Sequence, residues 1–466
     1  MEPRAHRSAV EQRLERGRPA QNGQQNGQSD GQADDQRERP DSPQERTGRL
    51  TYEEALSYVG GLGRFGVKVG LERSAAILEE LQHPEAGLRG ALVAGTNGKG
   101  STAAFLASIL RARGLHVGTT PSPHLRSYTE RVQRDGEPIS ESAFASAVAT
   151  LQPLLQPVWD RLGDPTEFEL LIGLAVWWLA PRVDRLVVEV GMGGRLDSTN
   201  VLDLGVAVIT NVDLDHQRHL GDTVEKIAAE KAGIIKPGDL VVTGASGSAL
   251  RVVEERARQE GASLWRLGTE IEHSSRSLGW EGSSLSVRGP GFAYQDLRIP
   301  LLGRWQPANA ALAVAAAHAL RDASPDAVRE GLLRARWPGR LQPVDRQLLL
   351  DGGHNPAALR LLVPEVLDLA GGRPVALVFG VMADKDLPPM LEELRRLDPA
   401  GVVATAAASA GGRALSPAKL AGAWGPGAEA VLPAQRAVAR AGEMAGPDGL
   451  VLACGSLYLV GELLPA

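Results

Sequence analysis

A single cysteine, Cys454, stands in 466 residues, which excludes an internal disulfide and any cysteine-based zinc site. It lies in the apolar run Leu450–Cys454, where packing is its expected role. Positive charge is not in excess: 50 Lys and Arg against 56 Asp and Glu give a net charge of −6. With no basic stripe interleaved with aromatics, the chain lacks the electrostatic footprint of a nucleic-acid binder. No apolar stretch is long and clean enough to span a bilayer, and the N-terminus has no apolar core of the kind a signal peptide requires. The expectation is a soluble cytoplasmic protein with no membrane partner. What the chain does have is apolar material, 43% of its residues, enough for at least two domains.

Residues 1–48 are rich in Gln, Asp, Arg, Gly and Pro and read as a disordered low-complexity tail. Order is expected from Leu50-Thr51-Tyr52, with Thr51 as a helix cap. From there short apolar runs alternate with helical patterns. Strands are predicted at 90–94, 115–119, 185–190, 205–212 and 239–243, and helices at about 101–113, 141–155, 167–180, 223–233 and 248–259. Residues 263–300 carry short β-like runs and turn glycines, as an antiparallel edge would. Alternation resumes with strands at 347–350, 374–379, 401–404 and 450–453. The fold class is therefore α/β. A mostly parallel sheet domain carrying a phosphate-binding (P-) loop, 49–299, precedes a smaller Rossmann-like α/β domain, 300–466, with a ligand held in the cleft between them.

The phosphate loop is Leu92-Val-Ala-Gly95-Thr96-Asn97-Gly98-Lys99-Gly100-Ser101-Thr102, set between an apolar strand and an Ala/Leu-rich helix. Glycines let backbone N–H groups turn toward an anion, a helix N-terminus adds partial positive charge, and Lys99 adds a full one. Ser101 or Thr102 is placed to hold magnesium. The spacing departs from the common G-x-x-x-x-G-K-[ST] form, because Gly100 separates the lysine from the hydroxyl.

Three more strand ends carry polar residues. Leu186-Val-Val-Glu189-Val-Gly191 puts a carboxylate at the carboxyl edge of the sheet, where it would share magnesium with Ser101. Val208-Ile-Thr210-Asn211-Val-Asp213-Leu-Asp215-His216 brings two acids and a histidine to the same edge. Magnesium prefers oxygen, so spacing alone makes His216 a phosphate or water contact. Downstream, the helix carrying Glu230 and Lys231 reads by composition as a solvated face of acid and base pairs. In the C-terminal half, Leu350-Asp351-Gly-Gly-His354-Asn-Pro offers Asp351 to a ribose or adenine and His354 to phosphate, or either as a helix cap. Arg340, in the turn Trp337-Pro-Gly-Arg340, is placed to grip phosphate oxygens bidentately.

Taken in order, these motifs resemble the Mur ligase superfamily and, within it, the folylpolyglutamate synthase family, whose members often double as dihydrofolate synthases. The resemblance runs from about 51 to 464. It also rests on Phe65–Arg73, Ser122-Pro123-His124-Leu125 with Glu130-Arg131, Thr166-Glu-Phe168-Glu169, Glu230-Lys231-Ala-Gly, Phe379–Asp386 and Gly455-Ser456-Leu-Tyr-Leu-Val-Gly. It implies a ligase that uses ATP to phosphorylate a carboxylate of folate or dihydropteroate and then admits the amine of L-glutamate. It implies two magnesium ions held by Ser101, Glu189, His216 and Lys231, the last as a carbamate, with Lys99, Lys231 and His216 serving catalysis. Gly95 to Thr102 would cradle ATP, helped by Asn309, Arg340, Asp351 and His354. Ser122, Pro123, His124, Thr166 and Phe168 would line the folate pocket. A monomer with small-molecule partners only is expected. The chain departs from the family where a Gly-x-His-Gln stretch is usual: here it reads Gly303-Arg304-Trp305-Gln306.

Two other readings stand beside this one. A ligase acting on a UDP-sugar precursor would normally carry a further UDP-binding domain ahead of the loop, where this chain has only the tail. A catalytically silent nucleotide-binding regulator would be expected to have lost Glu189, His216 or Lys231, and all three are present.

Overall fold

The computed structural model of the chain describes residues 50–63 and 70–465, so the tail and most of the Phe65–Arg73 motif lie outside the described residues. The first described helix, Tyr52–Gly61, starts at the expected Thr51, whose hydroxyl accepts from Glu54 N while Glu54 reaches back to Thr51 N.

Eight strands form the larger sheet: β1 (Arg89–Ala94), β2 (Val117–Thr120), β3 (Gln133–Arg134), β4 (Glu137–Pro138), β5 (Arg185–Glu189), β6 (Val206–Ile209), β7 (Leu240–Thr243) and β8 (Ser263–Arg266). Their order is β4-β3-β2-β5-β1-β6-β7-β8, parallel except for the β2-β3-β4 meander. The interior strands are continuous apolar runs, such as Gly90–Ala94 and Val206–Ile209, because helices cover both faces. Chain direction across the sheet reverses around β1, which lies between β5 and β6. That is the topological switch where open α/β sheets bind ligands beyond their carboxyl ends.

Residues 263–300 differ from expectation. β8 extends the large sheet in parallel, whereas β9 (Glu272–Ser277), β10 (Ser283–Gly289) and β11 (Phe292–Ile299) make a separate antiparallel sheet. Alternating burial along β11 turns Phe292, Tyr294, Leu297 and Ile299 onto the alanine-rich Gln306–Ala319 helix. That helix and the next, Pro325–Arg334, pack on the Lys99–Ala112 helix and share its core through Ala335. The boundary expected at 299–303 therefore falls inside the packing of the first lobe. Small side chains on the Gln306–Ala319 helix let it sit flush on the loop helix, which a composition pattern does not reveal.

The second lobe is a six-stranded sheet of β12 (Gln342–Pro343), β13 (Leu348–Asp351), β14 (Val375–Phe379), β15 (Gly401–Ala404), β16 (Ala428–Ala430) and β17 (Leu450–Cys454), ordered β12-β13-β17-β14-β15-β16. All pairs are parallel except β12-β13. Cys454 is buried in β17 beside Phe379, as its apolar context predicts. No helix among the described residues is long and apolar enough to cross a membrane.

Candidate active site between the two lobes

The loop after β1 is fastened to the end of β6. Thr96 N donates to Asn211 O (3.0 Å), Asn97 N to Asn211 Oδ1 (2.9 Å), and the Thr210 hydroxyl to Asn97 O (2.6 Å). Gly98 caps the Lys99–Ala112 helix with a φ of +83°, the left-handed region that favours glycine. A Cβ there would also lie 2.5 Å from Asn309 Oδ1. The irregular glycine has a different reason. A Cβ on Gly100 would lie 2.4 Å from the ring of Trp337, which sits directly on the helix backbone and begins the turn that carries Arg340.

Two lysines meet at this loop. Lys99 Nζ donates to the carbonyls of Gly95 (3.2 Å) and Thr96 (3.3 Å), and Lys231 Nζ donates to the same Gly95 carbonyl (2.9 Å). Lys231 is buried, and desolvation with the nearby Lys99 charge lowers its pKa to about 7. The solvated-face reading of this helix thus fails for Lys231: the Val224–Ala232 helix turns it inward.

Glu189 ends β5 and is buried, accepting from Ser122 N at 3.1 Å. Desolvation pushes its carboxyl up, opposed by Lys99, the Ser122 amide and Arg340. His216 adopts φ +50°, a strained conformation for a residue with a Cβ, and such strain clusters at functional sites. Desolvation lowers its pKa and so favours the neutral ring, opposed by Asp215 and aided by the charges of Lys385 and Lys99.

From the second lobe, Asn355 caps the Pro356–Ala370 helix through Oδ1 while its Nδ2 donates to Asp215 Oδ2 (2.9 Å) and Asn97 Oδ1 (3.2 Å). Gln306 Nε2 meets the Ser101 hydroxyl at 3.3 Å. These contacts close a cavity of about 180 Å³ lined by Gly95 to Ser101, Ser122, Pro123, Glu189, His216, Lys231, Asn309, Arg340, Asp351 and His354. His354 is held by Nδ1 on Gly352 O (2.8 Å), and burial with Lys385 lowers its pKa to about 4, so the ring is neutral at pH 7.

Several expected residues also hold the structure around the cavity together. Thr102 is fully buried behind the loop; its N–H donates to Gly98 O, its hydroxyl has no hydrogen-bond partner, and it does not line the cavity. Asp351 accepts from the main-chain amides of Leu341 (2.7 Å) and Gly353 (2.6 Å), which brace the turn, while it also lines the cavity. Thr166 caps the Glu167–Leu179 helix, in a capping box with Glu169, which also pairs with Arg73. Phe168 packs against Gly191 behind the cavity wall, and His124 is buried against Tyr128 and Arg131. Of the expected folate pocket, only Ser122 and Pro123 line the cavity.

Four participants were not singled out from the sequence as site residues. Asn355 carried a visible signal, since Asn before Pro is a common helix start. Gln306 and Lys385 stood in quoted motifs, but the reach of Gln306 to the Ser101 hydroxyl, the charge of Lys385 beside His216 and the seat of Trp337 on Gly100 depend on long-range packing.

Comparison with known proteins gives the site its relatives. Residues 167–317 match the Mur ligase middle domain, and residues 339–457 match the Mur ligase glutamate ligase domain. The dihydrofolate synthase/folylpolyglutamate synthase of Bacillus subtilis is 36% identical over 357 residues, covering 74% of this chain and 83% of that protein. A folylpolyglutamate synthase of Mycobacterium tuberculosis, solved with ADP and AMPPCP, superposes with a TM-score of 0.82 at 31% identity, covering 88% of this chain and 98% of that one. A further structure, an FPGS–AMPPCP–folate complex, superposes with a TM-score of 0.77 at 31% identity, covering 88% and 98%. With its two-lobed fold, interlobe cavity and these relatives, the chain belongs to the dihydrofolate synthase/folylpolyglutamate synthase family of the Mur ligases.

Proposed function

We propose that this protein uses ATP to join L-glutamate to a folate, and to dihydropteroate as well, through an acyl phosphate. The observation that carries the reading is the convergence of Lys99, Glu189, His216 and Lys231 with Arg340 and His354 in one interlobe cavity. The structural relatives that hold an ATP analogue, one of them with folate, support the choice of co-substrate and acceptor.

A carboxylate is a poor electrophile. One of its oxygens attacks the γ-phosphorus of ATP and ADP leaves. The amine of glutamate then adds to the acyl carbon, loses a proton, and expels inorganic phosphate as the amide forms. Such chemistry needs positioning and compensated charge more than a protein nucleophile. Lys99 and Arg340 would supply cationic donors to the phosphates, and backbone N–H groups of the loop would orient them. Trp305, Ala358 and Leu361 give the same cavity an apolar wall suited to the adenine face. The cross-cleft bonds of Asn355 to Asp215 and Asn97 hold the lobes together, which would keep water from the acyl phosphate.

Magnesium fits the donors present. Among the described residues no group of three or more His, Cys, Asp or Glu converges, so protein carboxylates and imidazoles alone make no metal cage. Ser101 and Glu189 are hard oxygen donors at the phosphate loop and would hold a magnesium ion beside the ATP phosphates. The neutral His216 ring and a carbamylated Lys231 would serve a second ion. When bound, the ions offset charge on the phosphates.

Gly100→Ala tests the phosphate loop. Its Cβ collides with Trp337, and overpacking of this kind costs about 1–3 kcal/mol; if the loop yields that much, ATP affinity should fall roughly 5- to 150-fold while the far-ultraviolet circular dichroism stays native. Unchanged ATP affinity would contradict the role given to this contact. The reading as a whole is tested by ADP release from the purified chain with ATP and L-glutamate, offering tetrahydrofolate or dihydropteroate. Turnover that requires both glutamate and a pterin supports it; ADP release indifferent to either excludes it.

A further inference from the structure

The Pro356–Ala370 helix of the second lobe meets the first lobe at both of its ends. At the inner end Asn355 bonds Asp215 and Asn97, and Ala358 and Leu361 in the first two turns line the reaction cavity. At the outer end, 15 residues and so about 22 Å away, the contacts are of another kind. The turn between β9 and β10, closed by Leu278 N–H donating to Gly282 O (2.9 Å), presents Trp280 from the first lobe's small sheet. Its indole N–H donates to Leu369 O (3.0 Å), and the guanidinium groups of Arg346 and Arg373 lie 4.9 and 5.5 Å from its ring centre. Arg373 is itself fixed by the carbonyls of Ala370 (3.0 Å) and Arg346 (2.9 Å). One helical turn closer to the cleft, Arg304 donates to Glu365 Oε2 (3.0 Å) and Asp368 Oδ2 (2.7 Å). Its neighbours Leu302 and Trp305 pack into the second lobe's core.

The two ends differ in how they answer to water. The inner contacts are side-chain hydrogen bonds at the edge of a cavity, where water can take the place of either partner. The outer ones join a half-buried indole, stacked cations, a main-chain carbonyl and apolar packing, which water does not replace on equal terms. The outer end is therefore the fixed one, and the helix is a lever. A tilt of about 5° there displaces the inner end by about 2 Å. We propose that Trp280 and Arg304 are positioning residues for the nucleotide: they brace the outer end of the helix and so set Asn355 and the adjacent His354 against the phosphate loop. Neither of the two lines the cavity, so both act only through the helix. The proposal rests on the ligase reading for its ligand, ATP, and goes beyond it in the residues.

The test is a double-variant cycle on the full chain, with Trp280→Ala and Asn355→Ala at opposite ends of the helix. The Kd of a non-hydrolysable ATP analogue with magnesium is read by calorimetry, and Tm is recorded for each preparation. Each single variant should weaken binding about tenfold, the scale of one hydrogen bond with its stacked cations. The double variant should bind no more weakly than the worse single one, because once one end is released the other has nothing left to set. Sites this far apart ordinarily act independently, so a double variant about 100-fold weaker, the product of two separate losses, overturns the brace. A Trp280→Ala protein that loses Tm yet binds the analogue as tightly as the parent overturns it too. Trp280→Phe keeps a ring beside the two arginines but has no N–H for Leu369, and should fall between parent and alanine. Arg304→Ala, at an exposed position, runs the same cycle should Trp280→Ala fail to fold. Binding is read without turnover, so a chain that obeys the cycle but shows no glutamate-dependent ADP release would keep the brace and lose the ligase reading. A parent chain that does not bind the analogue would remove both.

Discussion

Lys99→Ala should lower glutamate- and folate-dependent ADP release by at least about 10³-fold without unfolding the protein, a loss at the upper end for removal of one preorganised electrostatic donor. The lysine opens the helix that follows Gly98, and its ammonium is folded back over the loop carbonyls of Gly95 and Thr96. Those carbonyls are weak acceptors beside a triphosphate, so the ammonium is free to move onto phosphate oxygens when they arrive. The fold itself does not depend on it. The loop is tied down by Asn211, Thr210 and Thr96, none of which involves the lysine side chain. Lys99→Arg should recover only part of the activity, because the larger guanidinium would have to fit beside Lys231. Turnover and circular dichroism on the same preparations check this expectation; robust ADP release from Lys99→Ala would remove the lysine from the mechanism.

Lys231→Ala should be nearly as damaging, with one difference: part of its activity should return with added bicarbonate or a short carboxylic acid. Desolvation and Lys99 bring the Lys231 amine to a pKa of about 7, so near neutral pH a large fraction carries a free lone pair. Only that neutral form adds to carbon dioxide to give a carbamate. As pH falls below about 7 the amine protonates and carbamate formation fails; as pH rises above it the neutral form dominates. Activity at limiting bicarbonate should therefore climb through this window, and saturating bicarbonate should shift the rise toward lower pH. A carbamate would replace a buried ammonium, now pointed at the Gly95 carbonyl, with two oxygens suited to magnesium. Unchanged turnover in Lys231→Ala, or a pH profile indifferent to bicarbonate, contradicts this account.

How much of this was legible in the sequence depended on whether a residue acts locally. The loop, the strand-end Glu189 and the Thr51 cap are set by neighbours in the chain, and all three lie where the pattern puts them. Regular strands and helices were legible for the same reason, with ends shifted by a few residues. Lys231 was not, because one face of a short helix carries alternating charges whichever way it turns; only the resemblance pointed to it. Thr166 was legible as a cap, since a threonine three residues before a glutamate makes a capping box, and it caps the Glu167–Leu179 helix. The packing of the Gln306–Ala319 helix on the loop helix is a long-range fit of small side chains. The seat of Trp337 on Gly100 is another, and it explains the unusual spacing of the loop only once the turn carrying Arg340 is seen beside it.

The central claim is that the acceptor carboxylate is phosphorylated before glutamate attacks. It is tested most directly by preparing tetrahydrofolate with ¹⁸O in its γ-carboxylate and analysing the inorganic phosphate after turnover with ATP and L-glutamate. The account predicts one ¹⁸O atom in each phosphate released, since the oxygen that attacks phosphorus leaves with it. Phosphate free of label, with the displaced ¹⁸O found in water instead, would contradict it.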